Sequence, residues 1–183
     1  AVPNPLYNST LNVTDSSVYD DFIDNFSVEW NILTTLKFKG NFSLERITRR
    51  NDTFKPADHT DFIGTDTNKG CYVKGNTVSL SFDGSAVLSY FNEWNTHTLS
   101  LNGGWNVQQV SSDYDSYTVT GFPNQQLNHP AFGNGFEEGS TIVGDAQTTR
   151  LMGFFGNVNY SYDNRYFVDA SLRTDGSSQF GSN

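Results

Sequence analysis

The stretch NVNYSYDNRYFVDASLRTDGSSQFG, residues Asn157–Gly181, decides the fold that we expect for this chain. Apolar and polar side chains alternate along it on both sides of Asp163-Asn164-Arg165. A two-residue period is typical of a strand with one apolar and one polar face. Asp and Asn tolerate left-handed backbone angles and can bond their own main chain, so this pair favours a tight turn. The stretch therefore predicts a β-hairpin.

The amino-acid sequence of this hairpin resembles a known barrel-strand signature. In the SusC/RagA family of TonB-dependent outer-membrane transporters, a tyrosine-rich strand and a short turn precede an Arg-x-Asp-Gly-Ser-Ser-x-Phe-Gly segment. The residues that match this segment are Arg173, Asp175, Gly176, Ser177, Ser178, Phe180 and Gly181. The chain is therefore similar to an internal piece of such a barrel, shorter than a whole transporter.

The resemblance implies a function as well as a fold. Members of the family import glycans or peptides across the outer membrane of Gram-negative bacteria, and the TonB complex of the inner membrane powers them. A SusD-like surface lipoprotein closes over the mouth of the barrel. The family is not enzymatic, so the resemblance implies no catalytic residue and no cofactor. The family's plug domain and TonB-contacting segment have no counterpart in these 183 residues.

Alternation recurs along the rest of the chain and predicts an all-β fold of antiparallel up-and-down hairpins. We expect residues 1–183 to form one partial segment of a transmembrane β-barrel. The hairpins are expected at about 22–54, 70–120 and 148–175. The long loops are expected at about 55–70 and 121–147. Tight turns near Thr34, Thr96 and Asn164 then alternate with long loops, as in bacterial outer-membrane barrels.

Two parts of the chain are harder to assign. Ala1–Asp21 is rich in Asn, Ser, Thr and Pro, which predicts an extended surface segment or loop. Tyr72–Phe82 predicts a strand, either whole or broken at Gly75-Asn76, ahead of a hairpin at Ser85–Gln109.

The two faces of the hairpins suit a membrane barrel, in which outward side chains meet lipid and inward ones meet water or a plug. Aromatic residues near the tight turns would form a belt at the level of the lipid headgroups. These residues are Trp30, Trp94, Tyr162 and Tyr166. Alternation alone equally allows a soluble β-sandwich, in which the apolar face packs on a second sheet. An isolated piece is expected to oligomerise, pair at its edges or become sandwich-like, because open edges and an uncovered apolar face are liabilities in water.

Composition excludes several classes of function. The formal net charge of −9 and the pI near 4.5 argue against a nucleic-acid partner, which needs a basic footprint. The single cysteine, Cys71, excludes an intramolecular disulfide. His59, His97 and His129 have no second ligand at metal-binding spacing, so we expect no metal site.

The candidate binding residues are aromatic and polar side chains of the later loops. Flat rings can stack on sugars or other apolar faces, and neighbouring polar groups can bond hydroxyls. The candidates are Tyr114, Asp115, Tyr117, Phe122, Asn124, Phe132 and Phe136. Packing of the loops among themselves is the alternative. Asp113 and Asp115 could also hold a cation, although they lack an EF-hand pattern.

Two other classes of function stay open from sequence. One is a soluble β-sandwich module that binds carbohydrate or acts as an adhesin. The other is a fragment of a glycoside hydrolase, which is the weakest of the three because nothing in the sequence places two carboxylates across a glycosidic bond.

Overall fold

The computed structural model describes residues 4–65 and 67–180, and these form an all-β fold. Ala1–Pro3, Asp66 and Gly181–Asn183, the last including one residue of the hairpin signature, lie outside the described residues. The strands are β1 (Thr14–Leu33), β2 (Leu36–Lys55), β3 (Cys71–Trp94), β4 (His97–Thr120), β5 (Gly135–Phe136), β6 (Val143–Tyr162) and β7 (Tyr166–Ser177). Short helical elements are α1 (Pro5–Asn8) and the 3-10 turns Thr60–Phe62, Pro130–Phe132 and Ser178–Phe180.

The strands of the described residues form a single sheet with the order β1-β2-β3-β4-β6-β7. The two-residue strand β5 pairs antiparallel with the end of β4, where Val119 is opposite Phe136. Neighbours in the sheet are therefore neighbours along the chain apart from the short β5. This arrangement confirms the predicted antiparallel up-and-down fold.

Backbone geometry at the tight turns confirms the turn chemistry expected from sequence. Asp163 and Asn164, between β6 and β7, have φ angles of 53° and 49°, and Asn95, between β3 and β4, has 52°. These left-handed angles strain most side chains, and Asn and Asp tolerate them best among residues other than glycine. The amide of Asp163 also donates to the carbonyl of Thr96, which links the last two tight turns at 2.7 Å.

Three predicted boundaries were wrong. Ala1–Asp21 is not wholly irregular, because β1 begins at Thr14. The long loop after β4 ends earlier than 147, because β6 begins at Val143 and β5 lies within the loop. Tyr72–Phe82 and the next predicted strand are one continuous strand, β3. In each case pairing with a neighbouring strand overrides a polar or glycine-containing local sequence, which weakens the signal of alternation.

Residues of the chain group into two compact units. Unit 1 comprises residues 1–21, 47–78 and 112–146, and unit 2 comprises 22–46, 79–111 and 147–183. Unit 1 contains the long loops and a small core of Phe54, Tyr72, Val119 and Phe122. The rings of Phe54 and Phe122 meet edge to face with centroids 5.1 Å apart. Such pairs add to the stabilisation from burial alone.

Unit 2 contains the tight turns. Within it, a glycine on one strand leaves room for a side chain of the neighbouring strand. A Cβ on Gly104 would lie 2.8 Å from the Phe155 ring and would also meet the carbonyl of Ala86. The absence of a side chain on β4 therefore makes room for the ring of Phe155 on β6. No helix among the described residues is long and apolar enough to cross a bilayer.

Candidate functional site

The last hairpin has one nearly continuous apolar face. The register of β6 and β7 places Tyr162 opposite Tyr166, Tyr160 opposite Val168, Val158 opposite Ala170 and Gly156 opposite Leu172. Directly opposed residues of an antiparallel pair share a face of the sheet. The other face carries Asn159 opposite Asp169 and Asn157 opposite Ser171, together with Phe155 and Phe167. The predicted alternation in this hairpin is confirmed.

Contacts extend the apolar face over the other strands of unit 2. A Cβ on Gly84 of β3 would lie 3.4 Å from Val107 of β4 and 4.0 Å from Phe42 of β2. A Cβ on Gly40 would lie 3.2 Å from Val28 of β1. A groove on the same face is lined mainly by Leu88, Tyr90, Leu101, Gly103, Gly156 and Val158, and Asn102 and Asn157 complete its lining. We call this face of unit 2 the apolar stripe.

Side chains of the apolar stripe are exposed rather than packed in a core. Leu172 is 78% exposed and Tyr166 is 69% exposed, and Trp30, Phe26 and Val168 are similarly open. Among the described residues only four hydrophobic side chains are buried, and all four belong to unit 1. A water-soluble sandwich of this length would bury one face of its sheet. The stripe therefore has the exposure expected of a surface that meets another apolar medium.

A row of rings lies beside the tight turns in unit 2. The imidazole of His97 stacks on Trp94, with centroids 5.5 Å apart and planes 13° apart, and it also contacts Tyr162 at 5.0 Å. Tyr162 stacks in turn on Tyr166 at 6.4 Å, and the Tyr160 hydroxyl lies 2.7 Å from His97 Nδ1. We call these five residues the aromatic ladder. The sequence predicted a belt from Trp30, Trp94, Tyr162 and Tyr166, of which the last three belong to the ladder. It missed Tyr160 and His97, and the only signal of His97 was its place next to a tight turn.

The polar face of unit 2 carries a charged cluster that spans three strands. Arg173 on β7 forms a two-pronged ion pair with Asp175, with Nε to Oδ2 and Nη2 to Oδ1 both at 2.8 Å. Its Nη2 also donates to Asn106 Oδ1 on β4 at 3.4 Å. The guanidinium passes Gly153 of β6, where a Cβ would meet Asp175, Asn106 and Arg173. Arg173 and Asp175 of the hairpin signature thus form, with Asn106, a cluster that extends from β7 over Gly153 of β6 to β4.

An open cavity of about 580 Å³ lies beside this cluster. Its lining combines the three polar side chains with Leu151, Met152, Gly176 and Ser177. On the same face, Asn41 of β2 donates to Ser85 of β3 at 3.3 Å, and Asn159 donates to Asp169 at 2.7 Å. The polar face is therefore rich in amide, hydroxyl and carboxylate groups suited to contact with water or a polar surface.

The predicted binding residues of the loops, all in unit 1, do not form one site. Phe122 is 3% exposed and packs in the core of unit 1, where its ring contacts Phe54 and Tyr72. Tyr117 meets Phe136 edge to face at 6.1 Å. Asp115 accepts a hydrogen bond from Asn76 at 3.2 Å.

The other predicted residues have more open surroundings. Phe132 and Phe136 are 50% and 48% exposed, and Tyr114 is also exposed. Asn124 uses its Oδ1 to accept from the amide of Gln126 at 2.8 Å, which is a local turn contact. The exposed rings of Tyr114, Phe132 and Phe136 therefore remain predicted ligand contacts.

Phe122 and Phe132 do border one shared cleft of about 510 Å³. The remaining lining residues are Asn68, Lys69, Gly121, Pro123, Gly133 and Asn134. Asn134 Nδ2 donates to Asn68 Oδ1 at 3.3 Å. Sequence reasoning missed Asn68, Lys69 and Asn134, because a polar residue in a long loop carries no signal of the second loop that it meets.

An ion pair at the base of the first long loop lowers the pKa of a carboxyl group. Lys55 Nζ lies 2.6 Å from Asp61 Oδ2, with the two side chains 36% and 49% exposed. The hydrogen bond from Lys55 lowers the pKa of Asp61, and the nearby charges of His59 and Lys55 act in the same direction. No three His, Cys, Asp or Glu side chains in 4–65 and 67–180 converge as a metal site would require.

By sequence, this chain is similar to TonB-dependent receptors over nearly its whole length. No protein-family model matches it. It is 26% identical over 185 residues to TonB-dependent receptor P3 of Formosa agariphila, covering 100% of the chain and 18% of that receptor. It is 25% identical over 182 residues to TonB-dependent receptor P39 of the same organism, covering 98% of the chain and 17% of that receptor. The chain thus spans less than a fifth of the length of the curated relatives that it matches.

Comparison of structures gives the same result for the fold. The RagAB peptide transporter matches 97% of the chain with a TM-score of 0.79 and 19% identity, over 19% of the matched chain. The RagAB peptide importer in its open-open state matches with a TM-score of 0.78 and 20% identity, over the same two shares. The expected resemblance to SusC/RagA-type, TonB-dependent proteins is confirmed, and the fold is that of a segment of their barrel.

Proposed function

We propose that this chain forms part of the wall of a TonB-dependent outer-membrane transporter of the SusC/RagA type, in a Gram-negative bacterium. The observation that carries the proposal is the apolar stripe, which is exposed over the strands of unit 2 and backed by a polar face. In an outer-membrane barrel the stripe meets lipid and the polar face lines the lumen. Similarity to TonB-dependent receptors over the whole chain supports the same conclusion.

The length of the apolar stripe agrees with a bilayer. On β2 the alternating positions from Leu36 to Leu44 are apolar or glycine, and the next ones are Arg46, Thr48, Arg50 and Asp52. A tilted transmembrane strand needs about 9–11 residues to cross the hydrocarbon core. The stripe of β2 therefore crosses the membrane next to the tight turn, and the rest of the strand continues into water.

The aromatic ladder supports the same placement. Its rings lie beside the tight turns and combine apolar surfaces with hydroxyl or imidazole groups. Aromatic side chains of this type concentrate at membrane–water interfaces. The short turns of such barrels are periplasmic, which orients the long loops of unit 1 toward the outside of the cell.

The substrate and partners follow from the relatives. RagAB is a peptide transporter, and SusC-type transporters import glycans, so we propose uptake of an oligosaccharide or a peptide. By the same analogy we propose a SusD-like surface lipoprotein at the long loops and the TonB complex as the source of energy. TonB would act through parts of the protein outside this segment. We propose no enzymatic step and no cofactor.

Ligand contact by the loops is a further part of the proposal. The exposed rings of Phe132, Phe136 and Tyr114 support it, since an open ring face can stack on a ligand. Asp115, Tyr117, Phe122 and Asn124 would contribute by holding the loops in place, because their side chains already have partners within the protein.

Fractionation of cells that express the full-length protein tests the proposal. We expect the protein in the outer membrane, soluble only in detergent, and we expect uptake of its substrate to require TonB. Deletion of the gene should abolish that uptake, and restoring it should recover the uptake. Recovery of a soluble, monodisperse full-length protein without detergent would contradict the proposal and revive the sandwich alternative.

A further inference from the structure

The first described segment of the chain, Asn4–Val13, contacts both long loops of unit 1. Asn8 forms hydrogen bonds to Thr60 of the first loop through both the oxygen and the nitrogen of its side-chain amide. Its Oδ1 accepts from the Thr60 amide at 3.0 Å, and its Nδ2 donates to Thr60 Oγ1 at 2.7 Å. The segment α1 thereby holds the 3-10 turn of that loop at two points.

Asn12 holds the second loop in a similar way. Its Nδ2 donates to the carbonyl of Gln125 at 2.9 Å, and its backbone amide donates to Gln125 Oε1 at 3.4 Å. Only three residues separate Asn8 from Asn12, yet their partners belong to different loops. One short segment therefore links two loops that are far apart in sequence.

The two loops are also bonded directly to each other. The amide of Phe122 donates to the carbonyl of Lys69 at 2.9 Å, and the amide of Gly121 donates to Gly70 at 3.2 Å. Beneath these bonds lies the buried ring of Phe54. Loops that open easily have few buried contacts and few cross-links. These loops differ, because opening either one breaks bonds to two other segments.

We propose that Asn4–Val13 is a strap that holds the two loops together as one pre-formed rim. The rim stays closed, in the sense that the two loops do not separate, while substrate passes. The rim consists of the described residues of 56–70 and 121–134. Asn8 and Asn12 are the positioning residues of the strap. The part of this inference that concerns substrate passage rests on the proposed function, whereas the fixing of the loops does not.

Hydrogen exchange of the full-length protein in detergent tests the strap itself. Asn8→Ala should raise exchange of amides in 59–64, and Asn12→Ala should raise it in 121–128. Loss of about 1–2 kcal/mol of local hydrogen bonding corresponds to a roughly 5–30-fold increase, with the larger effect for Asn8→Ala. The matched control is Asn128→Ala, an exposed asparagine of the second loop. Equal exchange in all three variants would overturn the strap.

A cross-link tests whether the rim stays closed. Asn12→Cys with Gln125→Cys, in a Cys71→Ser background, is joined by a short bis-maleimide in whole cells. Leu151→Cys with Ser177→Cys, directly paired positions of β6 and β7, is the control for the chemistry. Uptake of a mixed oligosaccharide and peptide probe should be unchanged by the cross-link at the strap. Loss of uptake there but not in the control would overturn the closed rim. If no probe enters cells with the unmodified protein, the proposed function fails, and hydrogen exchange alone decides the strap.

Discussion

Tyr160 and His97 lie on neighbouring strands, and a 2.7 Å hydrogen bond joins the phenol oxygen to the imidazole Nδ1. Through this bond the polar edge of a tyrosine and the faces of Trp94 and Tyr162 are held around one imidazole. The apolar stripe ends at the aromatic ladder, where rings with polar edges replace purely apolar side chains.

The bond between Tyr160 and His97 should be measurable in stability. Tyr160→Phe removes the hydroxyl and keeps the ring, so we expect a loss of about 0.5–1.5 kcal/mol in the free energy of unfolding. Urea unfolding of the full-length protein in lipid bilayers would measure it. Tyr166→Phe, at the end of the ladder, is the control and should change little. A larger effect at Tyr166 would contradict the role of the bond.

Charge placed on the two faces of β7 should have unequal effects. Leu172 lies on the apolar stripe, and its neighbour Ser171 lies on the polar face. Leu172→Arg exposes a cation to lipid, which costs about 2–4 kcal/mol near the midplane and less near the interface. Ser171→Arg places the same charge on the wet side and should cost much less. The yield of folded, heat-modifiable barrel would show the difference, and equal yields would refute the assignment of faces.

Adding a methyl group at Gly153 should disturb the charged cluster. A Cβ there would meet the side-chain ends of Asp175, Asn106 and Arg173, which can shift, so we expect only the small loss of stability that follows from weakening an exposed ion pair. Gly156→Ala on the same strand is the matched control, because its Cβ would meet only the Asn102 carbonyl at 3.8 Å. Thermal unfolding in detergent measures both variants. Similar melting temperatures for the two would exclude a special role for Gly153.

The small core of unit 1 should control the order of the long loops. Phe54 is 0% exposed, so Phe54→Ala should cost about 3–5 kcal/mol locally. Phe132→Ala removes a half-exposed ring and should stay within about 0.5 kcal/mol. Limited proteolysis of the full-length protein should cut the first variant in residues 56–70 and 121–134. Equal resistance of both variants would show that the core does not hold these loops.

Acid should loosen the first long loop. A carboxyl whose pKa is lowered on folding stabilises the fold above its ordinary pKa, here 3.8, and this stability is lost as the pH falls through the folded value. Because Lys55 and Asp61 are partly exposed, the effect is small, about 0.2–1 kcal/mol. Hydrogen exchange in 57–63 should rise below pH 4 relative to Asp61→Asn, which has already lost the pair. Identical pH dependence in the two proteins would show that the ion pair does not stabilise the loop.

Sequence predicted the periodic parts of the fold because their signals are local. The alternation around Asp163-Asn164 decides both the strands and the turn, and the observed φ angles and register agree with it. Thr14–Asp21 was missed because its two apolar side chains, Val18 and Tyr19, fall on opposite faces and so give no alternation, and because the strand depends on β2 for pairing. Long-range partners, not local preference, decide such segments.

Loop residues were harder to predict for a different reason. Phe122 and Phe132 look alike in sequence, yet one is buried and the other is half exposed. The difference comes from Lys69 and Gly70, whose carbonyls fix the backbone at Gly121 and Phe122. No periodic pattern reports a contact between two loops. The same holds for Asn8 with Thr60 and for Asn12 with Gln125.

Gly104 and Phe155 carry a consequence for how this wall can evolve. The ring occupies the space that a side chain at 104 would need, so neither position can change freely by itself. The Ala86 carbonyl also fills that space, so a smaller residue at 155 does not free position 104, and we expect glycine to persist there among homologues.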